Sequence, residues 1–361
     1  MRNDAQKITV EDWLKKANVK WIVGVYNVED FLLLPDTHWI IGSGLNVYAA
    51  GFKDQVLTQQ YLHLFDADAE TGRRIMPDEI TIKADLDTYP GSTPPDWSTF
   101  GPHGLDLSNR EGDIVKLFVI NHGGRDAVEI FEINVAGSEP KLTWVGNLNV
   151  PEDGWPDAVC WLPDTGGVIV SAMSDPRDPI GQTKRQLSGK PVGWLKEWNP
   201  ETNKWTKLPG TESLSSPNGI TTNKDGSKIW VNESTGACVT RINRGASDPG
   251  LIRVPLPGAP DNLRWSADGK FIYACVHTLD GASFEYEQLA SAKWGTPIHT
   301  PFAVFKVDPE TLDTTTFMPA GKYGPLGATC SVIEYKNRVW LGSCMSDRMG
   351  VFDNIRDQYQ D

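Results

Sequence analysis

Polar side chains stand in the same place ahead of several apolar runs: Glu29 and Asp30 before FLLLP, His103 before GLDL, Asp157 before AVCWL, Asn218 before GITT, Asp261 and Asn262 before LRWS. Carboxylate and amide oxygens are hard donors suited to calcium, which accepts roughly six to eight oxygens in flexible geometry. A single Asp or Asn in such a place is an ordinary turn or cap residue. Five of six repeats agreeing in register instead point to a shared divalent-metal site.

The elements that must hold these residues are visible as repeats. FLLLPDTHWIIGSGL, GLDLSNREGDIVKLFVINH, AVCWLPDTGGVIVSAMS, GITTNKDGSKIWVNES, NLRWSADGKFIYACVH and CSVIEYKNRVWLGSC each read apolar strand, polar turn, apolar strand. Several are followed by a third strand ending in a phrase such as LFDADAETG or IFEINVAG. Asp-Gly, Pro-Asp and Asn-Gly punctuation marks the tight turns. Imperfect all-strand repeats of this kind predict an all-β, six-bladed β-propeller with a central metal-binding tunnel. A polar residue at the head of each innermost strand would then point into that tunnel. Residues 1–20 are expected to form an N-terminal helical extension, with Thr9, Glu11 and Asp12 at the helix start. Residues 21–361 form the single propeller. Two stretches, 176–198 and 283–301, break the rhythm and are expected to be insertions rimming one face, the second with a helical core.

Composition narrows the partners. The 361 residues carry a formal charge of −13, which argues against a nucleic-acid or anionic-membrane partner because both need a basic face. Cys160, Cys238, Cys275, Cys330 and Cys344 are odd in number and form no CxxC pair, so they read as small buried hydrophobes. The first twenty residues hold no apolar core of signal-peptide length, and no run approaches a membrane span. A cytoplasmic, reducing setting is the expectation.

The ordered series of motifs resembles the paraoxonase and arylesterase family, calcium-dependent lactonases related to the gluconolactonase propellers. VEDFLLLPDTHWIIGSGL resembles that family's first inner strand. FGPHGLDL and VINHGGRDAVEIFEINV resemble its two histidine motifs, with His103 and His122 nineteen residues apart. SPNGITTNKDGSKIWV resembles the blade that supplies an Asn ligand. PDNLRWSADGKFIYACVH resembles an Asp-Asn pair followed sixteen residues later by a histidine, here Asp261 and His277. The likeness runs from about residue 20 to the end of the sequence and implies two calcium ions. Glu29, Asn218, Asp261 and Asn262 would hold the catalytic ion. Asp30, Asp157 and the carbonyl of Leu105 would hold a structural one. His103 would be the general base, His122 its partner, and His277 would line the pocket.

Two departures accompany the resemblance. Pro156 stands where the family pattern has an Asn ligand, so the catalytic ion would lose one oxygen to water or to a carboxylate such as Asp153. No cysteine precedes Glu29 to close the ring by a disulfide, so closure must rest on strand pairing. The implied chemistry is metal-assisted hydrolysis of a lactone or aryl ester, with a histidine or a metal-bound carboxylate as base. No G-x-S-x-G elbow offers a serine route. A metal-free, strictosidine synthase-like propeller enzyme and a non-catalytic, calcium-stabilised binding propeller are the alternatives.

Overall fold

The structure is a computed structural model that describes residues 8–45, 60–178, 180–181, 184–185, 188, 190–246, 248–277 and 300–356. Its strands form six sheets, each beginning at the axis and stepping outward by antiparallel neighbours. The innermost strands are Val28–Leu33, Pro102–Leu107, Trp155–Trp161, Pro217–Thr222, Ala259–Trp265 and Thr329–Tyr335, which number the blades one to six. These six strands neighbour one another in a closed cycle, the sixth against the first. The chain is a six-bladed β-propeller, with the short helix Val10–Lys16 ahead of its first strand. The second blade gains a fifth strand, Thr81–Ile82, paired parallel to its outer edge.

Each blade alternates its side chains between its two faces, so it buries apolar residues against both neighbours. The result is six hydrophobic clusters, one at each blade junction, rather than one central core. Trp144, Trp230 and Trp340 are among the largest fully buried side chains. The axis is thereby left to polar residues.

The sixth blade is completed from the other end of the chain. Val19–Val23 pairs antiparallel with Arg348–Asp353, in register Val19 with Phe352. Asn18 donates to Asp353 at 2.7 Å, and Arg338 pairs with the same carboxylate. Strand pairing closes the ring, and all five cysteines are free thiols. The helix Val10–Lys16, capped by Thr9 and Asp12 as the sequence predicts, packs Trp13 edge-on to Phe317 of the fifth blade.

The interval 176–198 is less of an insertion than expected, because Trp194–Asn199 is the third strand of the third blade. The interval 283–301 lies almost entirely outside the described residues.

Candidate functional site

Every innermost strand carries one residue more than its partner over the same stretch, a β-bulge, and Glu29, Asp30, His103, Asp157, Asn218, Asp261 and Asn262 sit in these bulges. In the first blade Val28 faces Gly44 and Phe31 faces Gly42, so Glu29 and Asp30 share one opposing residue. The same step recurs at Pro102 to Leu105, Pro156 to Val159, Pro217 to Ile220 and Pro260 to Leu263. The sixth blade has its counterpart between Thr329 and Ser331. The polar residues expected just ahead of the inner strands therefore lie inside them. Left-handed backbone at Asn27, Ser216 and Ala328 (φ 50°, 52° and 45°) turns the chain into three of these strands.

Register sorts the bulge residues into two layers. The first place in each blade holds Glu29, His103, Asp157, Asn218, Asp261 and Cys330. The second holds Asp30, Gly104, Ala158, Gly219, Asn262 and Ser331. Two of the glycines are required by contact. A Cβ on Gly104 would lie 2.4 Å from the Asp157 carbonyl oxygen, and one on Gly219 would lie 2.5 Å from that of Asp261. Their absence lets neighbouring backbones close up, which sets His103 beside Asp157 and Asn218 beside Asp261.

The first layer is a crowd of acceptors. Glu29, Asp157, Asn218 and Asp261 are all buried. Glu29 Oε2, Asp157 Oδ1 and Asn218 Oδ1 have no hydrogen-bond partner among the described residues. Asn218 turns its amide nitrogen to the Met173 sulfur at 3.9 Å. Burial pushes the Glu29 carboxyl well above the usual range, and Asp261, Asp30 and Asp157 add to the rise. Asp157 is raised the same way, by burial first and then by Asp261 and Asp30. Unpaired buried oxygens and mutually repelling carboxylates are costly, and a divalent cation is the species that would satisfy them together.

Asp157 belongs to this first layer. It holds the register place of Glu29, Asn218 and Asp261, with its Oδ2 4.0 Å from His103 Nε2. Asp30 also lies close enough to act on the Asp157 carboxyl, so Asp157 borders both groups of carboxylates. Pro156 corresponds in register to Pro102, Pro217 and Pro260, and Asp157 takes the bulge place directly behind it. Asp153 instead pairs with Lys196, at 2.5 Å.

His103 and His122 form a relay with a third member that the sequence reading missed. His122 Nδ1 lies 2.7 Å from Asp126 Oδ1, and His122 Nε2 lies 3.0 Å from His103 Nδ1. With the Asp126 carboxylate accepting from Nδ1–H, His122 Nε2 must accept from His103 Nδ1–H. That order assigns the free lone pair to His103 Nε2, which faces Glu29 Oε2 at 3.7 Å. Trp155 stacks on His122 with centroids 4.7 Å apart and planes 9° apart, holding the ring. Burial lowers the His103 pKa well below that of a free imidazole, and His122 lowers it further. His103 is thus a neutral base aimed at the carboxylate layer. The signal for Asp126 was its place four residues after His122 in HGGRD.

Two further residues arrive differently from expectation. His277 Nε2 lies 2.9 Å from Asp261 Oδ2, so it touches a carboxylate of the site directly. Asn262 donates its amide to Glu29 Oε1 at 2.6 Å. Donor atoms of Asp261, His277 and Cys330 lie within 4.8 Å of one another, which brings a thiol read as merely apolar to the edge of the site.

In the second layer Asp30 is satisfied by protein groups. Its Oδ1 accepts from the N–H of Phe31 at 2.9 Å and from the Ser331 hydroxyl at 3.2 Å. Its Oδ2 accepts from the N–H of Leu105 at 2.8 Å and from the guanidinium of Arg264. Arg264 Nη2 also lies 3.3 Å from the Leu105 carbonyl oxygen. Burial pushes the Asp30 carboxyl up, and Arg264, Leu105 N–H and Ser331 oppose it.

No protein-family model matches the chain. The protein strictosidine synthase-like 13 of Arabidopsis thaliana is 26% identical over 166 residues, 44% of this chain and 40% of that protein. Among solved structures, a protein of unknown function from Bacteroides thetaiotaomicron superposes with a TM-score of 0.51 at 11% identity, over 93% of this chain and 76% of that one. A luciferin-regenerating enzyme superposes with a TM-score of 0.50 at 13% identity, over 93% and 95%. Likeness at such low identity establishes the propeller fold and nothing finer. Among the described residues no helix is long and apolar enough to cross a membrane.

Proposed function

We propose that this chain is a metal-dependent hydrolase that opens lactones or cleaves aryl esters, with a divalent cation, calcium in the first instance, held by Glu29, Asp157, Asn218 and Asp261. The observation that carries the reading is the set of three unpartnered buried oxygens on Glu29, Asp157 and Asn218, converging beside a histidine whose lone pair faces them. When bound, the ion would polarise the acyl carbonyl and offset the charge growing on its oxygen. The chain's own groups do the rest. His103 Nε2 removes a proton from the attacking water, and Asp126 steadies the resulting positive charge through His122. Trp155 fixes the imidazole plane. Asn262 orients Glu29.

The donors also bear on which metal. The oxygen set suits calcium, while the Asp261, His277 and Cys330 corner supplies nitrogen and sulfur that favour a borderline ion such as zinc. The match to strictosidine synthase-like 13 favours a second reading, propeller chemistry without metal. One experiment separates them: a screen of lactones and phenyl esters on metal-stripped protein with calcium, manganese or zinc added back. Turnover restored by one ion supports the hydrolase. Turnover indifferent to chelation favours the metal-free reading, and no turnover with any ion overturns hydrolysis.

A further inference from the structure

We infer that Arg264 is the resident cation of the second layer, so that the chain binds one divalent ion where the resembling propellers are expected to bind two. Two independent features of the inner strands point this way. The first is the position of the guanidinium. It pairs with the Asp30 carboxylate and reaches the Leu105 carbonyl oxygen at 3.3 Å, the two groups that a structural ion would share. A third contact, Nη1 to the Leu263 carbonyl at 2.7 Å, aims the side chain back along its own strand. Asp30 is wholly buried and Arg264 nearly so.

The second feature is what the layer lacks in donors. Its second-place residues are Asp30, Gly104, Ala158, Gly219, Asn262 and Ser331. Gly104, Ala158 and Gly219 offer no side-chain oxygen, and the Asn262 amide is turned by its Nδ2–H bond toward Glu29 of the first layer. Asp157, which would have completed a second site, holds the first bulge place of its strand, and its Oδ2 lies 4.0 Å from His103 Nε2. Calcium needs roughly six or more oxygens, and the second places offer side-chain oxygens from Asp30, Asn262 and Ser331 alone. A planar, permanently charged fork needs fewer acceptors. Arg264 ties together the inner strands of the first, second and fifth blades, and Ser331 adds the sixth through Asp30.

The inference about ion number rests on the metal reading above, whereas the role of Arg264 does not, and the test separates them. Metal-stripped wild-type protein is titrated with calcium, with bound metal counted by elemental analysis after gel filtration, alongside Arg264→Met, Arg264→Lys and the double variant Arg264→Met with Ala158→Asp. The expected stoichiometry is one ion per wild-type chain and two per double variant. Two ions per wild-type chain overturn the inference. Without metal, Arg264→Met should melt several degrees below wild type and Arg264→Lys should fall between them. If no protein binds calcium, the metal reading fails, and the melting series still decides on Arg264: an unchanged melting point in Arg264→Met overturns its role.

Discussion

Glu29 and Asp30 are neighbours in one bulge, equally buried, and their surroundings are opposite. Asp30 accepts four hydrogen-bond donors, one of them a guanidinium. Glu29 faces other carboxylates, keeps one oxygen unpartnered, and holds its proton far more tightly than a free glutamate. A carboxylate satisfied by its own protein groups, as Asp30 is, serves the scaffold, because neither of its oxygens is left without a donor. A layer left unsatisfied stores the free energy that a ligand can release. The contrast separates structure from function within two adjacent residues.

The comparison is most exposed to a paired substitution. Glu29→Gln should lower turnover by on the order of 10³-fold by weakening the metal site, and should raise the melting temperature of the metal-free protein by removing one repelling carboxyl. Asp30→Asn should do the reverse, destabilising by about 3 to 5 kcal/mol because Arg264 is left buried without its counter-charge. Calorimetry with and without metal reads both effects. Equal melting shifts in the two variants would collapse the distinction between the layers.

The relay gives the next largest effect. His103→Gln should cost about 10² to 10⁴ in kcat while leaving metal affinity near wild type. Asp126→Asn should cost less and move the acidic limb of the pH profile, since it weakens the hold on the His122 tautomer. Full activity in His103→Gln would shift the base role to a carboxylate of the first layer.

Asp157→Ala sharpens the register assignment. It should lower metal affinity by roughly 10-fold to 100-fold, in the range of other perturbations of metal sites, as measured by titration calorimetry. An affinity unchanged from wild type would return Asp157 to the second layer.

The smallest effect is on pH dependence. Glu29 and Asp157 have folded pKa values above their unfolded ones, so their protonated forms favour the fold below the carboxylate range. That stability is lost as pH rises through the raised values, by at most about 1.4 kcal/mol per unit of pH for each group. His63, buried and pushed down to about 3, acts with the opposite sign. The unfolded imidazole takes up a proton below its model value of 6.5 and the folded one does not, so stability falls between pH 6.5 and about 3. Metal-free protein should therefore lose stability as pH rises through the raised carboxylate values, and saturating metal should flatten that slope. Melting curves across pH, with and without chelator, test this.

The repeats, their turns and the polar residues in common register were legible because a propeller repeats one local pattern, and local pattern is what a sequence displays. Six inner strands follow from it, whereas the pairing of His103 with His122 was implied by the family resemblance. Arg264 was the one charged residue in the inner strand NLRWS and carried a visible signal, yet its partner Asp30 lies 234 residues away. No local rule links them. The bulge place of Asp157 was likewise hidden, because a bulge moves register by one residue, and only the pairing Pro156 with Ala172 and Val159 with Val170 reveals where the extra residue lies. The sequence by itself determined the inner strands and the polar residues in common register at their heads, since alternation and turn chemistry are written along each strand. Only the tertiary structure decided which of them are satisfied there, because satisfaction depends on donors brought in from other blades.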